Sequence, residues 1–128
     1  MSDDAGKYWR RSQLAMKSAR QNIAIDEATA CNRAYYAAFY AVSALFALEG
    51  KRFKRHSGVE AAVHRDLVNT GRWPKELGTT YSELHMRRTA SDYDIEACLS
   101  AEEANDSVER AERIIDAVRT ACPALDVG

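Results

Sequence analysis

With two prolines and six glycines in 128 residues, the chain has little with which to break helices or build tight turns. No segment alternates apolar and polar residues over a strand's length, and neither Asn-Gly nor Asp-Gly occurs, so strands are not expected. The three cysteines, Cys31, Cys98 and Cys122, are odd in number and form no CxxC. With no accompanying histidine pattern they suggest neither a disulfide framework nor a zinc site, and buried free thiols are expected. The opening residues Met1-Ser2-Asp3-Asp4 are acidic and no apolar run follows, which speaks against a secretory signal. The longest apolar stretch is too rich in alanine and tyrosine for a membrane span, so a cytoplasmic location is expected.

What the chain does have is enough apolar residue, 46%, to bury a core without staples, and a single domain over 1–128 is expected. Its formal net charge of −1 conceals a dipole along the sequence. Residues 1–91 hold 15 Lys and Arg against 9 Asp and Glu, whereas residues 92–128 hold 3 against 10. A basic region of this kind attracts phosphate, although solvated helix faces give the same pattern.

Helical periodicity runs from end to end. The first predicted helix covers about 4–22, with Trp9, Met16, Ala19 and Ile23 along one side. The second covers about 26–49, with Asp26 as N-cap and Gly50 suited to a left-handed C-cap. It has three faces: a small seam (Ala34, Ala37, Ala41, Ala44), a bulky stripe (Tyr35, Phe39, Val42, Phe46) and a polar aromatic row (Arg33, Tyr36, Tyr40, Ser43). So apolar a helix belongs at the centre. The third predicted helix starts in Ser57-Gly58-Val59-Glu60, which fits a capping box, and buries Val59, Val63 and Leu67 before Gly71. The fourth opens near Pro74 with an inner line of Leu77, Tyr81, Leu84 and Arg88. The fifth is capped by Ser100, with Glu103 three residues on. Its seam runs through Ala101, Ala104, Val108, Ala111, Ile115, Val118 and Cys122 to Pro123. The fold class is therefore all-α, an antiparallel bundle of four to five helices.

Three groups of residues can carry chemistry. The run Lys51-Arg52-Phe53-Lys54-Arg55-His56 delivers cations to a helix start, which favours an anion, or else forms a solvated turn with Phe53 packed beneath it. His56 sits where a neutral imidazole is favoured and can accept a ribose 2′-hydroxyl proton; the bland alternative is a packed ring bonded to a carbonyl. His64 and His85, both mid-helix, read as packing or surface residues. Arg33 and Arg88 lie on faces that do not suit a freely solvated guanidinium. They need a carboxylate, with Asp92 and Asp94 within reach of Arg88 in sequence, or a bound anion.

The series Asn32-Arg33-Ala34-Tyr35-Tyr36-Ala37-Ala38-Phe39-Tyr40-Ala41, then Gly50, Lys54-Arg55-His56-Ser57-Gly58-Val59, then Arg88 and Ser91-Asp92-Tyr93-Asp94, resembles the HEPN domain family of prokaryotes. It is most similar to the family's small stand-alone members, over about residues 8–120. The resemblance implies a helical bundle, frequently a homodimer, often paired with a minimal nucleotidyltransferase in toxin–antitoxin modules. It also implies endoribonuclease activity that needs no metal or other cofactor, through Arg, four to six residues, then His, with two copies meeting across the dimer. This chain departs from that spacing. Arg52 and His56 have three residues between them, Arg55 and His64 eight, Arg72 and His85 twelve. The resemblance therefore marks a site without fixing an activity. His56 would be the acid/base group and Arg33, Lys54 and Arg88 would stabilise phosphorane charge, with Asn32, Tyr36, Lys54, Arg55, Asp92 and Tyr93 as binding residues. RNA or nucleotide binding is expected. The alternative is a non-catalytic partner-binding module or dimeric scaffold.

Overall fold

The computed structural model describes residues 3–93 and 100–126, with side chains from 4 to 90 and from 100 to 125. Five α-helices and no strand occur among the described residues: α1 (Asp3–Asn22), α2 (Glu27–Leu48), α3 (His56–Ala62), α4 (Lys75–Tyr93) and α5 (Ala101–Ala121). A π-helical turn, Val63–Val68, extends α3, and a 3₁₀ turn, Pro123–Asp126, follows α5.

The helix ends follow from local chemistry. Asp26 accepts the Thr29 backbone N–H at 3.3 Å and the Thr29 hydroxyl at 2.7 Å, which starts α2. Gly50 closes it at φ 76°, a conformation that favours glycine. Ser100 accepts the Glu103 N–H at 3.0 Å, which caps α5, and its hydroxyl donates to the Glu103 carboxylate at 3.1 Å in place of the backbone N–H that a full capping box uses. The third helix departs from expectation. It starts at His56, with Arg55 in the capping position and no side-chain cap, and the Ser57 box does not form. After seven residues it widens into the π turn, against which α4 packs closely at Gly78. A Cβ there would stand 2.8 Å from Val68 Cγ2 and 3.0 Å from the His64 ring.

The core forms around α2. Ala34, Ala37, Ala41, Ala44, Tyr35, Val42 and Phe46 are all fully buried. The alanine seam lets α1 approach until the buried Ser12 hydroxyl donates to the Ala37 carbonyl at 2.6 Å. Helix α5 turns its seam inward at Ala104, Val108, Ala111, Ile115 and Val118, leaving Ala101 exposed. That apolar line is consumed within the chain rather than kept for a partner. Arg87 and Arg110 pin α4 to α5: Arg87 donates to Asp106 at 3.0 Å and Ser107 at 2.8 Å, and Arg110 reaches Glu83 at 2.5 Å.

The cysteines correct the sequence reading. Cys122 is a free, half-buried thiol, but Cys31 is disulfide-bonded. Odd number and spacing say nothing about which helix faces meet, so the pairing was not visible in the sequence. No helix is long and apolar enough to cross a membrane among the described residues.

Candidate active site

Helix α2 carries Tyr35, Tyr36 and Phe39 to one end of α3, where His56 is the first helical residue. Its ring stacks on Phe39, 4.3 Å between centroids, and meets Tyr36 edge-on at 5.5 Å. His56 Nδ1 lies 2.9 Å from the Tyr35 hydroxyl. Burial, then the charge of Arg88, then His85 hold the His56 pKa below its ordinary 6.5, so the ring is neutral at neutral pH. Burial pushes the Tyr35 phenol well above its ordinary value, so it stays protonated. The phenol can donate to Nδ1 or accept from it, and in doing so it sets which tautomer Nε2 presents.

Helix α4 brings two further groups. Arg88 Nη2 donates to the Tyr36 hydroxyl at 3.1 Å, and its guanidinium lies 5.4 Å from that ring's centre. His85 stacks on Tyr35 at 5.0 Å and stands 6.5 Å from His56, centroid to centroid. His85 Nδ1 is 2.8 Å from Glu60 Oε1. Partial burial raises the Glu60 pKa, but hydrogen bonds from Ser82 and His85 outweigh it and hold the carboxyl below its usual range. An ionised carboxylate only accepts, so Nδ1 of His85 carries the proton. Beneath them Tyr81, fully buried, packs against Tyr35 at 6.2 Å.

The fold thus brings His56, Tyr36 and Arg88 together from three helices. Arg33 joins by stacking, its guanidinium 4.8 Å from the Tyr36 ring centre, and is steadied by Asn32, which accepts from Nε at 3.0 Å and Nη2 at 2.8 Å. Among the described residues Arg33 has no carboxylate partner; the expected tie to the loop Ser91 to Asp94 falls on side chains outside those described. Lys54 and Arg55 are exposed in the bend before α3. Arg52 pairs with Asp4, and Lys51 with Asp66 at 3.4 Å, while Phe53 packs under the turn against Phe46 at 5.4 Å. Asp92 and Tyr93 end α4, but their side chains lie outside those described.

Sequence reasoning missed His85, Glu60 and the role of Tyr35. The signal was spacing: Tyr81, His85 and Arg88 follow each other at i, i+4 and i+7, and Glu60 is i+4 from His56, so each set shares a helix face. Among the described residues no group of three or more His, Cys, Asp or Glu side chains is placed to hold a metal ion.

A cluster of two histidines, two arginines and three tyrosines at the meeting of three helices is a constellation that comparison can test. The HEPN domain family profile matches residues 5–121. The chain belongs to the HEPN domain family. A "UPF0332 protein" of Thermotoga maritima is 38% identical over 120 residues, 88% of this chain and 86% of that one. A Methanocaldococcus jannaschii protein named "Putative toxin" is 33% identical over 75 residues, 59% of this chain and 51% of its own length. Within that domain His56 and Arg88 stand on separate helices, α3 and α4.

Proposed function

We propose that this HEPN protein acts on RNA as the toxin-type member of a toxin–antitoxin pair, cleaving the strand by attack of a ribose 2′-hydroxyl without a metal. The observation that carries the reading is the neutral His56, hydrogen-bonded by Tyr35 and flanked by Arg88. Arg88 from α4 supplies in space the cation that Arg52 fails to supply at the family's spacing. The relative named as a toxin adds to this reading.

With Nδ1–H donated to the Tyr35 oxygen, His56 Nε2 takes the 2′-hydroxyl proton as the 2′-oxygen attacks phosphorus. The negative charge of the phosphorane falls to Arg88 and Arg33. The bond to the 5′-oxygen breaks, and the leaving oxygen takes a proton from water while the His56 imidazolium gives its own back to solvent, which leaves a 5′-hydroxyl and a 2′,3′-cyclic phosphate. His85, held by Glu60, stands beside the reacting groups. Tyr36, Asn32, Lys54, Arg55, Asp92 and Tyr93 form the binding surround. The protein functions as a cytoplasmic homodimer whose antitoxin is a minimal nucleotidyltransferase; light scattering and co-purification with the neighbouring gene product test those two statements.

Total or transfer RNA incubated in EDTA tests the chemistry. Wild type is expected to cut and His56→Ala to bind RNA without cutting. The missing local Arg-to-His spacing favours one other reading, a module that binds RNA or a partner and cuts nothing; binding without cleavage by wild type establishes it.

A further inference from the structure

Beside the aromatic cluster, α1 and α2 enclose a groove of about 550 Å³ lined by Lys7, Arg10, Arg11, Leu14, Ser18, Arg33 and Tyr40. Its cations are unpaired, as are Lys17, Lys54, Arg55, Lys75 and Arg113 elsewhere among the described residues, but only here do four of them line one cavity. Arg20, Arg52, Arg65, Arg72, Arg87, Arg110 and Arg119 each lie within 4 Å of a carboxylate. Lys7, Arg10, Arg11 and Arg33 have no carboxylate within that distance among the described residues. Four unneutralised cations around one cavity concentrate positive potential in it.

The groove also has an aromatic wall. Tyr8 and Tyr40 stack at 6.4 Å, Arg11 lies 5.7 Å from the Tyr40 ring centre, and its Nη1 reaches the Tyr40 hydroxyl at 3.5 Å. Tyr40 continues into Tyr36 at 5.8 Å, and Tyr36 carries Arg33 on its ring and Arg88 on its hydroxyl. One guanidinium therefore belongs to both places: Arg33 lines the groove and sits against the ring that holds the His56 cluster. Leu14 is 61% exposed at the groove's edge, an apolar surface for a base rather than for the core.

We propose that this α1–α2 groove is a binding track for single-stranded RNA, holding the phosphates on Lys7, Arg10, Arg11 and Arg33 and stacking a base on Tyr40. It deepens the reading of the His56 cluster as an RNA-cleaving centre, and it rests on that reading only for the direction of the strand, which Arg33 hands to Arg88. Alternating cations and rings are how strand-binding grooves hold a backbone without reading its sequence. A protein partner of acidic surface would use the cations but not the half-exposed tyrosine wall, so the combination favours a nucleic acid strand.

The test is anisotropy of a labelled single-stranded oligoribonucleotide of about a dozen nucleotides. It is titrated with wild type, with Lys7→Glu/Arg10→Glu/Arg11→Glu, with Tyr40→Ala, and with the control Lys75→Glu/Arg113→Glu on other helices. The track predicts roughly tenfold or greater weakening in the triple variant, with the log–log salt slope reduced by about 2. Tyr40→Ala weakens binding with the slope unchanged, and the control stays near wild type. Folding of each variant is checked by helical circular dichroism. Equal affinity and slope for wild type and triple variant overturn the track, even where wild type cleaves RNA. Loss in the triple variant upholds it, even where wild type cleaves nothing. A triple variant that loses a dimer's mass in light scattering while binding RNA as wild type does assigns the groove to a second copy and overturns it.

Discussion

Tyr35 is fully buried, yet its one hydroxyl is spent on a histidine at the rim of the core. In the proposed reaction it is a positioning residue, because its oxygen would decide the tautomer of His56. Tyr35→Phe removes one partly buried hydrogen bond and keeps the ring, so a stability loss of about 1 kcal/mol is expected in urea unfolding. The catalytic loss should exceed that: kcat falls with KM nearly unchanged, and ¹⁵N shifts of the His56 imidazole report a mixed tautomer where wild type shows one. A uniform drop in binding instead would make Tyr35 merely structural. The residue scale is also where the sequence was least legible. His56, Arg33, Arg88 and Tyr36 could be picked out by their odd faces, but His85 and Glu60 looked like ordinary mid-helix residues. Nothing local shows that α3 and α4 turn those faces toward each other.

Helices were legible because each has its own signals. Asp26, Gly50 and Ser100 act through their immediate neighbours, and the seams of α2 and α5 are written in 3- and 4-residue steps. The third helix was misread at its start and in its course because its form depends on another element. Gly78 of α4 leaves the space that Val68 and His64 of the π turn occupy, and a Cβ there would overlap them. Gly78→Ala gains about 1 kcal/mol in helix propensity but forces an overlap costing about 1–3 kcal/mol, so net destabilisation is expected. A raised urea midpoint would show that the π turn yields freely. At the centre of α2, Phe46→Ala should cost about 3–5 kcal/mol, since the ring is fully buried and supports Phe53 under the basic turn.

Across the whole molecule the bundle converts an unremarkable net charge into a divided surface. The groove keeps its cations unpaired, while Arg87 of α4 and Arg110 of α5 are tied to Asp106 and Glu83. Acid should weaken the fold in a defined order. The folded pKa of His56 is below 6.5, so the unfolded chain takes up that proton first and stability falls as pH drops from about 6.5 through the lowered value. Glu60 and Asp106, held below their ordinary values, contribute stability above the unfolded carboxylate range that is lost as pH falls through their folded values. Urea midpoints between pH 7 and 5 should therefore decline in wild type and decline less in His56→Ala; parallel declines would place the titrating group elsewhere.

The central claim is that the buried tyrosine, the neutral histidine and the arginine across from it form a centre for cutting RNA. Its most direct measurement is the product ends formed from RNA in EDTA by wild type and by His56→Ala, each shown folded and RNA-bound. The account predicts 2′,3′-cyclic phosphate and 5′-hydroxyl ends from wild type and none from the variant. Uncut RNA with wild type, or the same ends from both proteins, contradicts it.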